Sequence, residues 1–342
     1  MFDKIATALQ KGLPFCTYRK PHDTIVTGVF QQDKTLVLAD DFTGSGFVFA
    51  PFNKTSNAIL IRPDEFLTVD VTPKISIENK PVEVSEAGKQ GHLELVEKGI
   101  MEIKKGNLNK VVLSRKIEVE TTKTPIALFQ NMLAQYPTAF CYLFHHPKVG
   151  IWCGATPETL MAIDHGKLRT MSLAATMPVV GNSDPQWGAK EREEQQMVSD
   201  YIESNLLPLT ESLRISVAKS VKAGSLWHLR SDVAGKMAEG ITLSNVLHAL
   251  HPTPAVCGIP TAPAKEFIWN NEGYDRSFYT GFLGELNLKT QGEATFFVNL
   301  RCMELIGNKA HIFVGGGITE ASDPESEWTE TQNKSRTMLN IL

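Results

Sequence analysis

The feature that most limits the fold is the order in which strand-like segments occur. Short apolar runs bounded by turn residues, "TIVTGVF", "TLVLADD", "GFVFAPF" and "ISIENK", fill the chain up to about residue 85, a pattern of strands joined by hairpins. More follow at "KVVLSRKIEVE", "AFCYLFHH", "GIWCGA", "KLRTMSLA", "SLWHLRSDVAG", "GFLGELNL", "ATFFVNLRCMEL" and "AHIFVGG". These runs come in adjacent groups, and no regular β-α-β alternation links them. The order predicts an α+β fold, with large antiparallel β-sheets packed together and helices on the outside.

Helical spacing is confined to a few segments. "GHLELVEKGIMEIKKG" sets Leu93, Val96, Ile100 and Ile103 on one face and stops at Gly106. "TPIALFQNMLAQYP" has Pro125 at its start and Pro137 beyond its end. A long central helix is predicted over "EREEQQMVSDYIESNLLPLTESL" and a last one over "PESEWTETQNKSRTMLNI". No repeat, low-complexity tract or linker is visible. One domain over residues 1–342 is expected, with a strand-rich part at 1–87 and a core at 88–342.

Composition excludes several function classes. With 342 residues, 42% hydrophobic, and a formal net charge of -4, the chain reads as an ordinary globular protein. It has no basic stripe for nucleic acid, and the lysines of "MEIKKGNLNK" read as a solvated helix end. No window is apolar for long enough to span a bilayer, and "MFDKIATALQKG" lacks the core of a signal peptide. The five cysteines are scattered and never spaced as CxxC, which argues against a disulfide framework and against zinc. A reducing cytoplasm is the expected setting.

The chemistry concentrates near the C-terminus. "VGGGITEASDPESEWTETQNK" joins Gly315, Gly316 and Gly317 to Asp323, Glu325, Glu327, Glu330 and Lys334. Glu327 and Glu330, like Glu191 and Glu194 in "KEREEQQMV", stand three apart and share a helix face. Two such faces turned together would offer only oxygen ligands, which suits Mg²⁺. The plainer alternative is solvated surface, with Glu330–Lys334 and Lys190–Glu194 as i,i+4 pairs; spacing alone favours it. The glycines let backbone N–H groups approach an anion, or make a tight strand-to-loop turn. A small dicarboxylate shared by amides, Lys334 and a cation would satisfy both signs of charge.

Six motifs in order, "NKVVLSRK", "GATPETL", "LWHL", "LHPTPAVCGIP", "VNLRCMEL" and "GGGITEASDPESEWTET", resemble the chorismate-utilising enzymes, the isochorismate synthases above all. The resemblance runs from about residue 88 to the end. It implies chorismate as substrate and Mg²⁺ as cofactor, in a monomer with no obligatory glutaminase subunit, nucleic acid or membrane partner. Lys110 falls at the position of the base that activates water, and Glu158 at that of the acid serving the leaving hydroxyl. Glu194 and Glu330 fall on the metal-ligand positions, with Glu191 and Glu327 behind them. Arg301, Gly315, Gly317 and Lys334 fall where substrate carboxylates are held, while Thr176, His228 and Ala255 line the same pocket. Without the resemblance, Lys110 would read as a solvated strand-edge lysine, Glu158 as an acid in the first turn of a helix, and His228 as a satisfied core histidine.

Two positions depart from the family pattern: Ala175 stands where many relatives have glycine, and Gln195 where histidine is usual. Neighbouring branches of the family are set apart by single residues. Anthranilate synthases have glutamine in place of Lys110, and aminodeoxychorismate synthases have lysine in place of Ala174. Salicylate synthases share the lysine base and tend to carry threonine at the position of Ala255. Salicylate synthase is therefore the second reading, and a silent chorismate-binding subunit the third. Menaquinone and siderophore pathways both use isochorismate, and residues do not choose between them.

Overall fold

The computed structural model describes residues 1–53, 58–72, 84–179, 184–223 and 226–342. Strands among these residues form two large sheets. The first has nine, in spatial order β15 (Gly258–Ile259), β7 (Lys110–Glu120), β19 (Lys309–Ile318), β18 (Cys302–Ile306), β9 (Gly150–Thr156), β8 (Phe140–His146), β1 (Phe15–Arg19), β2 (Ile25–Phe30) and β6 (Glu65–Asp70). The second runs β12 (Thr210–Ile215), β14 (Leu226–Met237), β11 (Lys167–Pro178), β10 (Thr159–Asp164), β17 (Ala294–Val298), β16 (Phe282–Leu286), β4 (Gly46–Ala50), β5 (Ile59–Ile61) and β3 (Val37–Leu38). Its tenth strand, β13 (Lys219–Ala223), pairs with β14. Every one of these pairings is antiparallel.

Side-chain alternation sorts the cores. On β8, Phe140, Tyr142 and Phe144 enter an aromatic layer with Phe47 and Phe49 of β4 and Phe297 of β17, so this layer lies between the sheets. Cys141 and Leu143, on the opposite face of β8, pack against α1 (Phe2–Lys11), α3 (Pro125–Gln135) and α7 (Pro324–Leu339). The outer face of the second sheet is covered by α4 (Ala189–Leu206) and α5 (Leu243–Leu250). A further cluster joins α2 (Lys89–Lys104) and α6 (Thr261–Asn271) to β7. The expected α+β arrangement, with sheets packed together and helices outside, is the one observed. The N-terminal strands take part in both sheets, through β1 on β8 and β4 on β16.

Several boundaries differ from the sequence reading. The central helix does not reach Leu213. It ends at Leu206, a short 3₁₀ turn carries Pro208, and Thr210–Ile215 is a strand. A proline removes the donor and crowds the carbonyl that a continuing helix needs. "ATFFVNLRCMEL" is two strands rather than one: β17 lies in the second sheet and β18 in the first, and the chain crosses over at Asn299–Arg301, with Arg301 at φ 48°. The helix α1 and strand β1 lie in stretches to which the sequence reading assigned no element. "ISIENK" falls outside the described residues. All five cysteines are free and buried.

Candidate active site

Two crossings between the sheets create the site. Besides Asn299–Arg301, the chain passes from β9 to β10 through Pro157–Glu158. The two corners bind each other: Thr156 Oγ1 donates to Val298 O at 2.6 Å, Val298 N to Glu158 O at 3.0 Å, and Ala155 N to Arg301 O at 2.9 Å. These bonds bring Glu158 and Arg301 to one cavity of about 700 Å³ of empty volume, lined also by Lys110 and by the ends of β11 and β19. Lys110, Glu158, Thr176, Glu194, His228, Ala255, Arg301, Gly315, Gly317, Glu330 and Lys334 all line it. Glu191 and Glu327 do not; they line a shallower depression beside it, which shares Thr176 and Glu330 with the cavity.

The solvated reading of the charged residues does not hold. Lys110 is 0% exposed on an interior strand, and its Nζ lies 2.8 Å from Glu194 Oε1. That contact is an ion pair without hydrogen-bond geometry, so among the described residues the buried ammonium has no hydrogen-bond partner. Lys334 Nζ donates to Gly315 O at 2.9 Å and pairs with Glu330 at 2.5 Å, the i,i+4 pair the spacing suggested. The other suggested pair is not made: Lys190 reaches across to Glu327 on α7 at 2.8 Å, leaving Glu194 to Lys110. The contact between α4 and α7 gives Lys190 a partner that its own helix does not.

The three glycines do not form the tight strand-to-loop turn. They sit in the β19 ladder, Gly315 opposite Ser114, Gly316 opposite Leu113 and Gly317 opposite Val112. What requires glycine is space. A Cβ on Gly317 would stand 2.4 Å from Glu194 Oε1 and 2.9 Å from Lys110 Cε, and one on Gly315 would stand 2.6 Å from Leu113 O. At Gly316 the nearest atoms would be Glu327 Oε2 at 3.1 Å and Glu330 Oε1 at 3.6 Å. The bare backbone lets carboxylates from α4 and α7 close over the strand.

Glu158 lies in an extended corner rather than in a helix, and it is 4% exposed. Burial pushes its carboxyl up to about 8, against the opposing pull of Lys110, Lys334 and Arg301. At neutral pH it is therefore the protonated acid. The sign follows: the acid form, the one able to donate, is present below about pH 8 and lost above it. The kcat/KM profile should show a falling limb near that pH, absent in Glu158→Gln; a limb that persists in the variant would assign it to another group.

His228 is held as neutral imidazole, pushed down to about 3 by burial and by Arg301 and Lys334. Its Nδ1 lies 2.9 Å from Ala175 O, an acceptor, so that nitrogen carries the proton. Nε2 is then a lone pair, buried and without a partner, on a residue that lines the cavity. The core-histidine reading is half right. Ala175 offers this carbonyl from a left-handed backbone, φ 60°, a conformation that costs a residue with a Cβ about 1 kcal/mol or more and that glycine takes freely. Gln195, the other departure, is buried beneath α4 and its Nε2 lies within 3.2 Å of the hydroxyls of Ser172, Ser199 and Ser231. It anchors the helix that carries Glu191 and Glu194.

The donor set fits a hard cation. Glu194, Glu327 and Glu330 supply only carboxylate oxygens, and Glu327 Oε2 is a buried oxygen without a hydrogen-bond partner, directed at Gly316. These carboxylates are each held by a lysine rather than drawn together. Among the described residues, the ligand atoms that lie within 4.8 Å of one another belong to Asp164, His165 and Glu293, outside the cavity and largely exposed.

Residues 52–342 match the family model of chorismate binding enzymes. The chain belongs to this family. It is 32% identical over 286 residues to the isochorismate synthase DhbC of Bacillus subtilis, covering 77% of this chain and 69% of that one. It is also 32% identical over 249 residues to the isochorismate synthase EntC of Escherichia coli, covering 69% and 62%. Its fold is that of MenF, the menaquinone-specific isochorismate synthase of Escherichia coli, with a TM-score of 0.78 over 96% of this chain and 88% of that chain at 21% identity.

Within this chorismate binding enzyme, the sequence reading overlooked several residues that shape the cavity. Tyr279 and Thr280 line it. Arg276 donates from its guanidinium to Val112 O at 2.7 Å and Val256 O at 2.9 Å while pairing with Glu272, so that it ties β7 to the turn at Val256, both of which line the cavity. In sequence, Glu272 and Arg276 are one more i,i+4 pair, and nothing marks them as buried.

Proposed function

We propose that this protein is an isochorismate synthase, converting chorismate to isochorismate with the help of Mg²⁺. The observation that carries the reading is a buried carboxyl, Glu158, protonated at neutral pH in the same cavity as the buried Lys110. The reaction needs one group to take a proton and another to give one. Lys110 is the base that removes a proton from the water that adds at C2 of the ring. The two ring double bonds shift, and Glu158 protonates the C4 hydroxyl as it departs. One water enters and one leaves, so substrate and product are isomers. Arg301 and Lys334 supply positive charge for the two substrate carboxylates, and the lone pair of His228 Nε2 accepts from a hydroxyl. Glu194 and Glu330 would hold Mg²⁺, with Glu327 and Glu191 behind them; when bound, the ion neutralises a carboxylate and withdraws electrons from the ring.

Incubation with chorismate and Mg²⁺, followed by chromatography, tests this directly. Isochorismate without pyruvate is the expected product. Salicylate with pyruvate would support the second reading, and unchanged chorismate the silent subunit. Ala255 bears on the same choice. Its methyl group lines the cavity and offers no hydrogen bond to the enolpyruvyl arm. A threonine hydroxyl there could favour the geometry for pyruvate loss, and about 1.4 kcal/mol between barriers is a tenfold change in rate ratio. Ala255→Thr should raise pyruvate release relative to isochorismate formation by up to about tenfold, measured with coupled lactate dehydrogenase. An unchanged ratio would leave Ala255 a packing residue.

A further inference from the structure

The three lysines that hold the carboxylates are not equivalent. Lys110 and Lys334 line the cavity. Lys190 stands outside, at the seam of two surface depressions, one reaching Glu194 and the other reaching Glu191 and Glu330. Its side chain is 30% exposed, while that of its partner Glu327 is 2% exposed. Glu327 uses its two oxygens differently. Oε1 takes Lys190 Nζ at 2.8 Å and Ser322 Oγ at 2.6 Å. Oε2 is buried, has no hydrogen-bond partner among the described residues, and points to Gly316 beside Glu330.

Glu327 therefore faces a lysine on its outer side and the carboxylate cluster on its inner side. Two neighbouring carboxylates in a buried place repel each other, and an adjacent ammonium relieves that cost. The same ammonium is a like charge to any divalent cation that enters the cluster. Its flexible stem and partial exposure give it somewhere to go. We infer that Lys190 is a built-in competitor for the cation: it holds Glu327, which stands behind Glu194 and Glu330, and so weakens Mg²⁺ binding at those two carboxylates. The site then keeps its acidic charge balanced without a metal and exchanges the ion readily. This rests on the Mg²⁺-dependent reading above.

Calorimetric titration of the purified protein with Mg²⁺ alone, without chorismate, tests it. Lys190→Met removes the charge and keeps the length, and it should bind Mg²⁺ about tenfold more tightly, a modest share of the interaction between close charges near a surface. Lys190→Arg should stay near wild type, and Lys190→Met combined with Glu327→Gln should lose the gain. Equal or weaker binding by Lys190→Met overturns the inference, and a lowered thermal midpoint in EDTA without tighter binding would leave Lys190 a structural ion pair only. Failure of the functional reading looks different. In that case wild type and variants alike bind no Mg²⁺ and turnover persists in EDTA, which removes the competitor along with the metal.

Discussion

Lys110→Ala is expected to lower chorismate turnover by about 10²–10⁴-fold or more, with an unchanged far-ultraviolet circular dichroism spectrum. The loss should be this large because the amine is fully buried on β7, and the other lysine lining the cavity, Lys334, is engaged by Glu330 and Gly315 O. The fold should persist because among the described residues the ammonium makes no hydrogen bond, and β7 is paired with β19 from Val111 to Glu120. Glu158→Gln should fall in the same range for the complementary reason. Glutamine matches the shape and neutrality of the protonated acid, so packing is kept while the transferable proton is lost. Steady-state rates with each variant decide the matter. Near-normal turnover in either would reassign its role.

Glu330→Gln should lower Mg²⁺ affinity by at least about 100-fold, more than the loss of a supporting residue behind a metal ligand costs. The variant removes one charge from a cluster in which Glu327 already gives one oxygen to Lys190. It also frees Lys334, which pairs with Glu330 and with Gly315 O. Turnover should fall with the affinity and recover in part at high Mg²⁺. A wild-type enzyme running at full speed in excess EDTA would remove the metal from the mechanism, whatever the variant did.

The architecture was legible because alternation and turn residues report burial directly. "KVVLSRKIEVE" reads as a strand and is β7 from Lys110 to Glu120. "TPIALFQNMLAQYP" reads as a capped helix, and Thr124 Oγ1 does accept from Ala127 N at the start of α3. Local signals failed where the chain changes sheet. "ATFFVNLRCMEL" alternates as one strand would, yet it crosses between layers at Asn299–Arg301.

The same division runs through the site. The sequence by itself determined the kinds of group present: paired glutamates on helix faces, a glycine run, and motifs that resemble the chorismate-utilising family. Tertiary structure decided which charges meet between elements. Spacing pairs Lys190 with Glu194 on one helix, whereas the folded chain gives Lys190 to Glu327 and Lys110 to Glu194. It also placed Gly315–Gly317, which the sequence left between an anion-approaching backbone and a tight turn, in a strand over which carboxylates can close. The raised carboxyl of Glu158 is likewise absent from the sequence, since it comes from the low-dielectric corner between two sheets. Periodicity is a property of neighbours along the chain; charge state and partner choice depend on neighbours in space, which only the packed sheets supply.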